Sequence, residues 1–130
     1  MNGMAGLGTF SGLSVSDLAA AKAFYVDVLG LSLVDESDFG FGLRTEDQII
    51  FVYDKGADHE PASFTVLNFS TADVEGVVDD LTARGVEFVR YDGPGQDAKG
   101  ISRTMGPTIA WFADPAGNVF SVIEEAPGGM

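Results

Sequence analysis

The chain predicts an α+β fold built from two βαβββ modules, and three features of the sequence predict it. The second half repeats the plan of the first: Phe10-Ser-Gly-Leu-Ser-Val-Ser-Asp17-Leu18 is echoed by Val66-Leu-Asn-Phe-Ser-Thr-Ala-Asp73-Val74. Each Asp opens a run with apolar residues at helical spacing, and each run stops at a glycine, Gly30 or Gly85. The stretches flanking both runs alternate apolar and polar residues, as half-buried strands do. Such a repeat puts a ligand site between the two copies.

The elements follow in order. Leu7–Val15 alternates as a strand, with Leu13 and Val15 on one face and Phe10, Gly12 and Ser14 on the other. Ser16 or Asp17 caps a helix whose apolar stripe is Leu18, Ala21, Phe24, Tyr25, Val28 and Leu29. Leu31–Val34, Phe39–Arg44 and Gln48–Tyr53 read as three strands, with turns at Glu36–Asp38 and Thr45–Asp47. Asp54–Pro61 is a polar linker. The second copy opens with a strand at Ser63–Thr71. Asp73 then starts a helix with the stripe Val74, Val77, Val78 and Leu81. Val86–Tyr91 reads as a strand and Asp92–Pro107 as a long Gly-rich loop. Thr108–Ala113 is a strand, Asp114–Asn118 a turn in which Pro sets φ and Gly-Asn tolerates the left-handed conformation, and Val119–Glu124 the last strand. A helix covers one face of each sheet. The other faces must close on each other, on a partner chain or around a ligand.

With 130 residues the chain is expected to be one domain, residues 1–130, with module 1 at about 7–53, the linker at 54–61 and module 2 at about 62–125. Twenty acids against seven Lys and Arg leave a net charge of −13, a field that repels nucleic acid and anionic membranes. A neutral or cationic ligand fits that field, unless Arg44, Arg90 or Arg103 gathers an anion locally. The absence of Cys excludes disulfides, thiolate nucleophiles and Cys-bound metals. The N-terminus lacks the basic and apolar regions of a signal peptide, and no apolar run nears the ~18 residues of a membrane span. The expectation is a cytoplasmic protein with no membrane or nucleic-acid partner.

Leu13-x-Val15-x-Asp17-Leu18, followed by Phe24-Tyr25-x-x-x-Leu29-Gly30-Leu31, resembles the opening of the vicinal oxygen chelate superfamily. That superfamily includes glyoxalase I, extradiol dioxygenases, fosfomycin-resistance proteins and bleomycin-binding proteins. Trp111-Phe112-Ala-Asp114-Pro115-x-Gly117-Asn118 resembles its closing signature, and Phe69-x-Thr71-x-Asp73-Val74 with Ala83-Arg84-Gly85-Val86 resembles the second opening. The likeness runs from about Phe10 to Glu124 and implies the glyoxalase/bleomycin resistance/dihydroxybiphenyl dioxygenase fold. It also implies a homodimer, because small members commonly pair sheets across chains.

Enzymes of the superfamily hold a divalent metal with four inward side chains, usually His and Glu. By the resemblance, the His positions fall seven residues before Asp17 and Asp73, at Phe10 and Val66. The closing Glu falls four residues after Gly117, at Ser121, and the remaining ligand lies within Gln48–Tyr53, where Ile49, Ile50, Phe51, Val52 and Tyr53 supply no carboxylate or imidazole. A divalent cation needs convergent oxygen or imidazole donors. Phe and Val offer none, and the inference is a member without the family's metal and with no cofactor.

Other chemistry is thin. His59, the only histidine, sits with Asp54, Asp58 and Glu60 in the linker, where a solvated acidic loop accounts for it. Ser-His-Asp catalysis lacks a G-x-S-x-G elbow. Gly6-Leu-Gly8 precedes a strand where a dinucleotide loop would follow one, and Gly93–Gly100 is no P-loop. The latter loop is a lid over the cavity or a plain surface loop. Trp111 stacks on a flat ligand or packs in the core or a dimer interface. No catalytic residue is identified.

The function expected is a metal-independent small-molecule-binding protein of the glyoxalase/bleomycin-resistance type, with an apolar or aromatic ligand enclosed between the modules. The acidic field leaves room for a cationic, antibiotic-like one. The pocket residues expected are Phe10, Phe51, Tyr53, Phe64, Val66, Asn68, Trp111 and Ser121, with Ser14 and Ser70 as further polar anchors. The alternatives are a metal-dependent lyase, isomerase or dioxygenase of the same superfamily, and metal-free acid–base catalysis by an acid such as Asp97 or Asp54.

Overall fold

A computed structural model describes residues 3–91, 93, 95–104 and 106–125. Strand β1 (Ser11–Val15) leads into helix α1 (Leu18–Lys22), which widens into π-helical turns over Ala23–Val28. Then come β2 (Ser32–Val34), β3 (Gly40–Arg44) and β4 (Ile49–Asp54). The second module holds β5 (Thr65–Thr71), α2 (Val74–Ala83), β6 (Ile109–Ala113) and β7 (Val119–Glu124). The architecture is α+β, with one sheet in each module.

The sheets run β1-β4-β3-β2 and β5-β7-β6. In each, the first strand of the module lies parallel to the last, and the remaining neighbours are antiparallel. Parallel neighbours need a crossover, and the helix supplies it. Both helices begin where local chemistry dictates. Asp17 accepts from the Ala20 amide at 3.1 Å, and Asp73 from the Gly76 amide at 2.9 Å. Both runs end at a glycine with positive φ, 79° at Gly30 and 97° at Gly85.

Alternation sends one side of each sheet into a shared core. Leu13, Val15, Phe41, Leu43, Ile50 and Val52 come from the first sheet, and Ala110, Phe112, Phe120 and Val122 from the second. Tyr25 joins the halves. The π turn, marked by the Leu29 amide bonding the Phe24 carbonyl at 2.9 Å, sets Phe24 and Tyr25 edge to face at 5.4 Å. Phe24 then lies 6.3 Å from Phe112, and Tyr25 lies 5.9 Å from Phe120.

Two expected strands change most. The first begins at Ser11, not Leu7, after a 3₁₀ turn at Gly3–Gly6, because pairing with β4 starts at Ser11 opposite Ile50. Val86–Tyr91 contributes only a bridge, Phe88 to Phe112, and a bond from the Val89 amide to the Trp111 carbonyl at 2.7 Å. The Gln96 side chain explains the loss. Its amide donates to the Val89 carbonyl at 2.8 Å and its oxygen accepts from the Tyr91 amide at 2.7 Å, so groups a ladder would pair are already satisfied. The linker carries a 3₁₀ turn at Gly56–Asp58.

Candidate functional site

The outer side of the first sheet is set by the register of β1, β3 and β4. Gly12 pairs with Phe51, Ser14 with Tyr53, and Gly40 and Gly42 pair with Tyr53 and Phe51 from the other side. Because Ile50 and Val52 point into the core, Ile49, Phe51 and Tyr53 face outward with Ser14. Phe51 and Tyr53 stack at 5.9 Å with 14° between their planes. Gly40 makes room for that stack: a Cβ there would lie 3.1 Å from Phe51 Cζ and 2.1 Å from the Val52 carbonyl oxygen.

The outer side of the second sheet is built likewise. Asn68 and Trp111 both pair with Ser121. Ser121 is fully buried, and its hydroxyl donates to Asn68 Oδ1. Tyr91 stands edge-on to Trp111 at 5.2 Å. Tyr91 escaped the sequence reading. Alternation from Phe88, which pairs with Phe112, could have found it, because Val89 and Tyr91 must then share the face of Trp111.

The expected pocket residues therefore divide into two groups. Phe51 and Tyr53 share the first outer face with Ser14, whereas Asn68, Trp111 and Ser121 share the second. Phe10 and Phe64 flank their strands and are 70% and 68% exposed, and Tyr53 is 38% exposed. Val66 sits at a register shift between Thr65 and Leu67, so it lacks a cross-strand partner in the ladder. These residues do not converge in one chamber within the single chain. A cleft of about 200 Å³ does lie between the β3–β4 turn (Thr45–Gln48) and β5 (Leu67–Ser70), and of the expected residues Asn68 alone lines it, with Ser70 beside it.

The positions that the resemblance assigns to the family's metal ligands have the wrong chemistry for a divalent cation. Phe10 and Val66 have no donor atom, Ser121 spends its hydroxyl proton on Asn68, and the outward residues of β4 are Ile49, Phe51 and Tyr53. Two phenyl rings, two aliphatic chains, one phenol and an engaged hydroxyl do not fit a divalent cation. Among the described residues no group of three or more His, Asp or Glu is placed to hold a metal ion.

His59 is not the solvated loop residue expected. It is half-buried, with Nδ1 2.8 Å from Ser14 Oγ and Nε2 2.9 Å from the Ala116 carbonyl oxygen. A carbonyl only accepts, so Nε2 carries a proton and Nδ1 offers a lone pair to the Ser14 hydroxyl when the ring is neutral. Spacing gave no signal for this, since the partners are 45 and 57 residues away.

The Asp114–Asn118 turn joins the same junction. Buried Asp114 accepts from the Ala116 amide at 3.0 Å, the Asn118 amide at 2.8 Å and Asn118 Nδ2 at 3.0 Å, and also from the Tyr25 hydroxyl. Asn118 Nδ2 donates to the Ser14 carbonyl at 2.8 Å. Burial, then the negative charge of Asp114, then their hydrogen bond push the Tyr25 phenol well above its ordinary range. The turn is a clasp between modules.

The long loop is strapped to α2. Lys99 reaches Glu75 at 2.7 Å and Asp79 at 2.9 Å, and Arg103 reaches Glu75 at 3.1 Å and also pairs with Asp97. Hydrogen bonds to Glu75 and then Asp79 raise Lys99 to about 12. Desolvation alone would raise Asp97, but the Ile101 amide, the Arg103 guanidinium and the Lys99 amide outweigh it and hold its carboxyl low. Asp97 is thus committed to structure, and Asp54 accepts from the Gly56 amide at 2.7 Å. Of the cations named as anion gatherers, Arg90 bonds the Asp97 and Ala98 carbonyls and Arg103 serves the strap. Arg44, at the end of β3, has no ion-pair partner among the described residues.

Two sheets with parallel first and last strands, aromatic outer faces and a clasping Asp-Pro-x-Gly-Asn turn define a vicinal-oxygen-chelate type of protein. The Glyoxalase/Bleomycin resistance protein/Dioxygenase superfamily model matches residues 6–122, and the chain belongs to that superfamily. Among solved structures it is similar to TnmS3, an antibiotic binding protein from Streptomyces sp. CB03234, at 28% identity and a TM-score of 0.64 over 92% of this chain and 98% of that one. It also shares its fold with UcmS2 (18% identity, TM-score 0.69, 90% and 98% covered) and with lactoylglutathione lyase from Agrobacterium tumefaciens (24%, 0.59, 91% and 92%). No curated protein matches the chain. No helix among the described residues is long and apolar enough to cross a membrane.

Proposed function

We propose that this protein binds a planar aromatic small molecule on its outer sheet faces without a metal ion. The observation that carries the reading is the pair of aromatic platforms, Phe51–Tyr53 on one sheet and Tyr91–Trp111 on the other. Contact with the rings of either platform supplies affinity through buried apolar area, and Asn68 supplies a polar anchor beside Trp111. The likeness to an antibiotic binding protein supports an antibiotic-like ligand, and the net charge of −13 favours a cationic one.

The exposed Phe10, Phe64 and Phe39 support a homodimer, in which an outer face of one chain closes against the partner and encloses the ligand. The cysteine-free composition is in keeping with a cytoplasmic protein.

Trp111 is the only tryptophan and reports directly. Titration of the EDTA-dialysed protein with cationic anthracyclines and neutral anthraquinones should quench its fluorescence with saturation. A dimer should appear in sedimentation velocity, and thermal stability should rise with ligand. Stoichiometric bound metal after purification, with loss of binding on its removal, overturns the metal-free reading. Unsaturable quenching overturns the binding reading.

A further inference from the structure

We infer that Ser14 and His59 form a nucleophile–base pair on the outer face of the first sheet, competent for acyl transfer from activated aryl esters. The inference rests on the binding reading for the Phe51–Tyr53 platform and adds chemistry at two residues that reading does not use. Three observations carry it. Ser14 Oγ and His59 Nδ1 are 2.8 Å apart, within proton-transfer reach. The Ala116 carbonyl, 2.9 Å from Nε2, fixes both the tautomer and the ring orientation, so the lone pair of Nδ1 faces the hydroxyl. Nucleophile, base and a third group orienting the base make the arrangement of an activated serine.

The third observation is position. Leu13 and Val15 are buried on either side of Ser14, so its half-buried side chain lies on the outer face. Its ladder partner there is Tyr53, which stacks on Phe51. An aryl group on that platform lies beside the hydroxyl. The Ser14 backbone is held as well, its carbonyl accepting from Asn118 Nδ2 at 2.8 Å. A purely solvated serine has none of these constraints.

The step balances without a further reagent beyond water. Ser14 Oγ adds to the ester carbonyl carbon while its proton passes to His59 Nδ1. Collapse breaks the bond to the aryl oxygen, which takes that proton and leaves as the phenol. Water then cleaves the acyl-serine, giving the carboxylic acid and restoring the hydroxyl. A backbone carbonyl behind the imidazole stabilises its cation less than a carboxylate does, which confines the reaction to good leaving groups.

The full chain is incubated with p-nitrophenyl acetate and read by p-nitrophenol release and by intact and peptide mass. The expected result is a gain of one acetyl group on Ser14, abolished by Ser14→Ala and slowed about 100-fold by His59→Gln. Circular dichroism and the unfolding midpoint establish that both variants are folded. Should Ser14→Ala unfold, Ser14→Cys replaces it, its alkylation by iodoacetamide in the folded protein being faster with His59 than without; should His59→Gln unfold, His59→Asn takes its place in both comparisons. Acetylation only elsewhere than Ser14, p-nitrophenol release no faster than from Ser14→Ala, or rates indifferent to His59 overturn the inference and leave the pair as a structural contact.

Discussion

Removing one oxygen atom, by Tyr25→Phe, isolates the clasp between the two modules. Tyr25 is 1% exposed, and its ring contacts with Phe24 and Phe120 survive the change. What disappears is one hydrogen bond to a buried carboxylate. Bonds to charged groups contribute about 1.5–3 kcal/mol net. Asp114 keeps its donors from the Ala116 amide, the Asn118 amide and Asn118 Nδ2, so no orphaned charge adds to the cost. The expected loss is about 2 kcal/mol, which for a chain of this size lowers Tm by about 8 °C. Urea unfolding followed at Trp111 measures the free energy, and calorimetry the midpoint. A double-mutant cycle with Asp114→Asn should return a coupling of at least about 1 kcal/mol, because the two groups touch. A loss below about 0.5 kcal/mol, or additive single changes, would refute the claim that this bond joins the modules.

Gly40→Ala should destabilise by about 1–3 kcal/mol and disturb the Phe51–Tyr53 stack, because the new methyl meets the Val52 carbonyl oxygen at 2.1 Å; urea midpoints and near-UV circular dichroism check it. Stability should fall as pH rises above 10.0, the ordinary tyrosine value, since the folded phenol of Tyr25 sits higher and the unfolded chain loses its proton first. Tyr25→Phe should flatten that alkaline limb in pH-dependent urea melts. The Asp97 carboxyl is held low in the folded chain, so its contribution is present at neutral pH and is lost as pH falls through that lowered value. The protection factors of the Lys99 and Ile101 amides, measured against the intrinsic exchange rate at each pH, should therefore fall in acid, and Asp97→Asn should remove that dependence.

What the sequence made legible was local chemistry. Asp17, Asp73, Gly30 and Gly85 mark the helix ends because a cap and a left-handed residue act within a few positions of themselves. The register of Gln48–Tyr53, and with it the side of Phe51, stayed open, whereas alternation told which side of its strand Trp111 occupies. It could not tell what stands opposite that side, and so the enclosed pocket expected from these residues resolves into two open faces. Val86–Tyr91 was misjudged because its strand-like pattern says nothing of a glutamine further on that takes the same backbone groups. His59 and Tyr25 were misread or unremarked for one reason. Their partners are 45, 57 and 89 residues distant, and no periodicity spans such separations.

The Asp114–Asn118 turn carries the closing signature of the superfamily in this chain, and its Asp114 and Asn118 side chains tie Tyr25 and the Ser14 backbone to the turn. Kinship is thus written in a hinge pin, and trade in the panels that hang from it. Lineages can repaint those panels, swapping imidazole for benzene rings, while the pin keeps the two leaves true. A pedigree drawn from that turn therefore predicts the shape of a newcomer far better than its appetite.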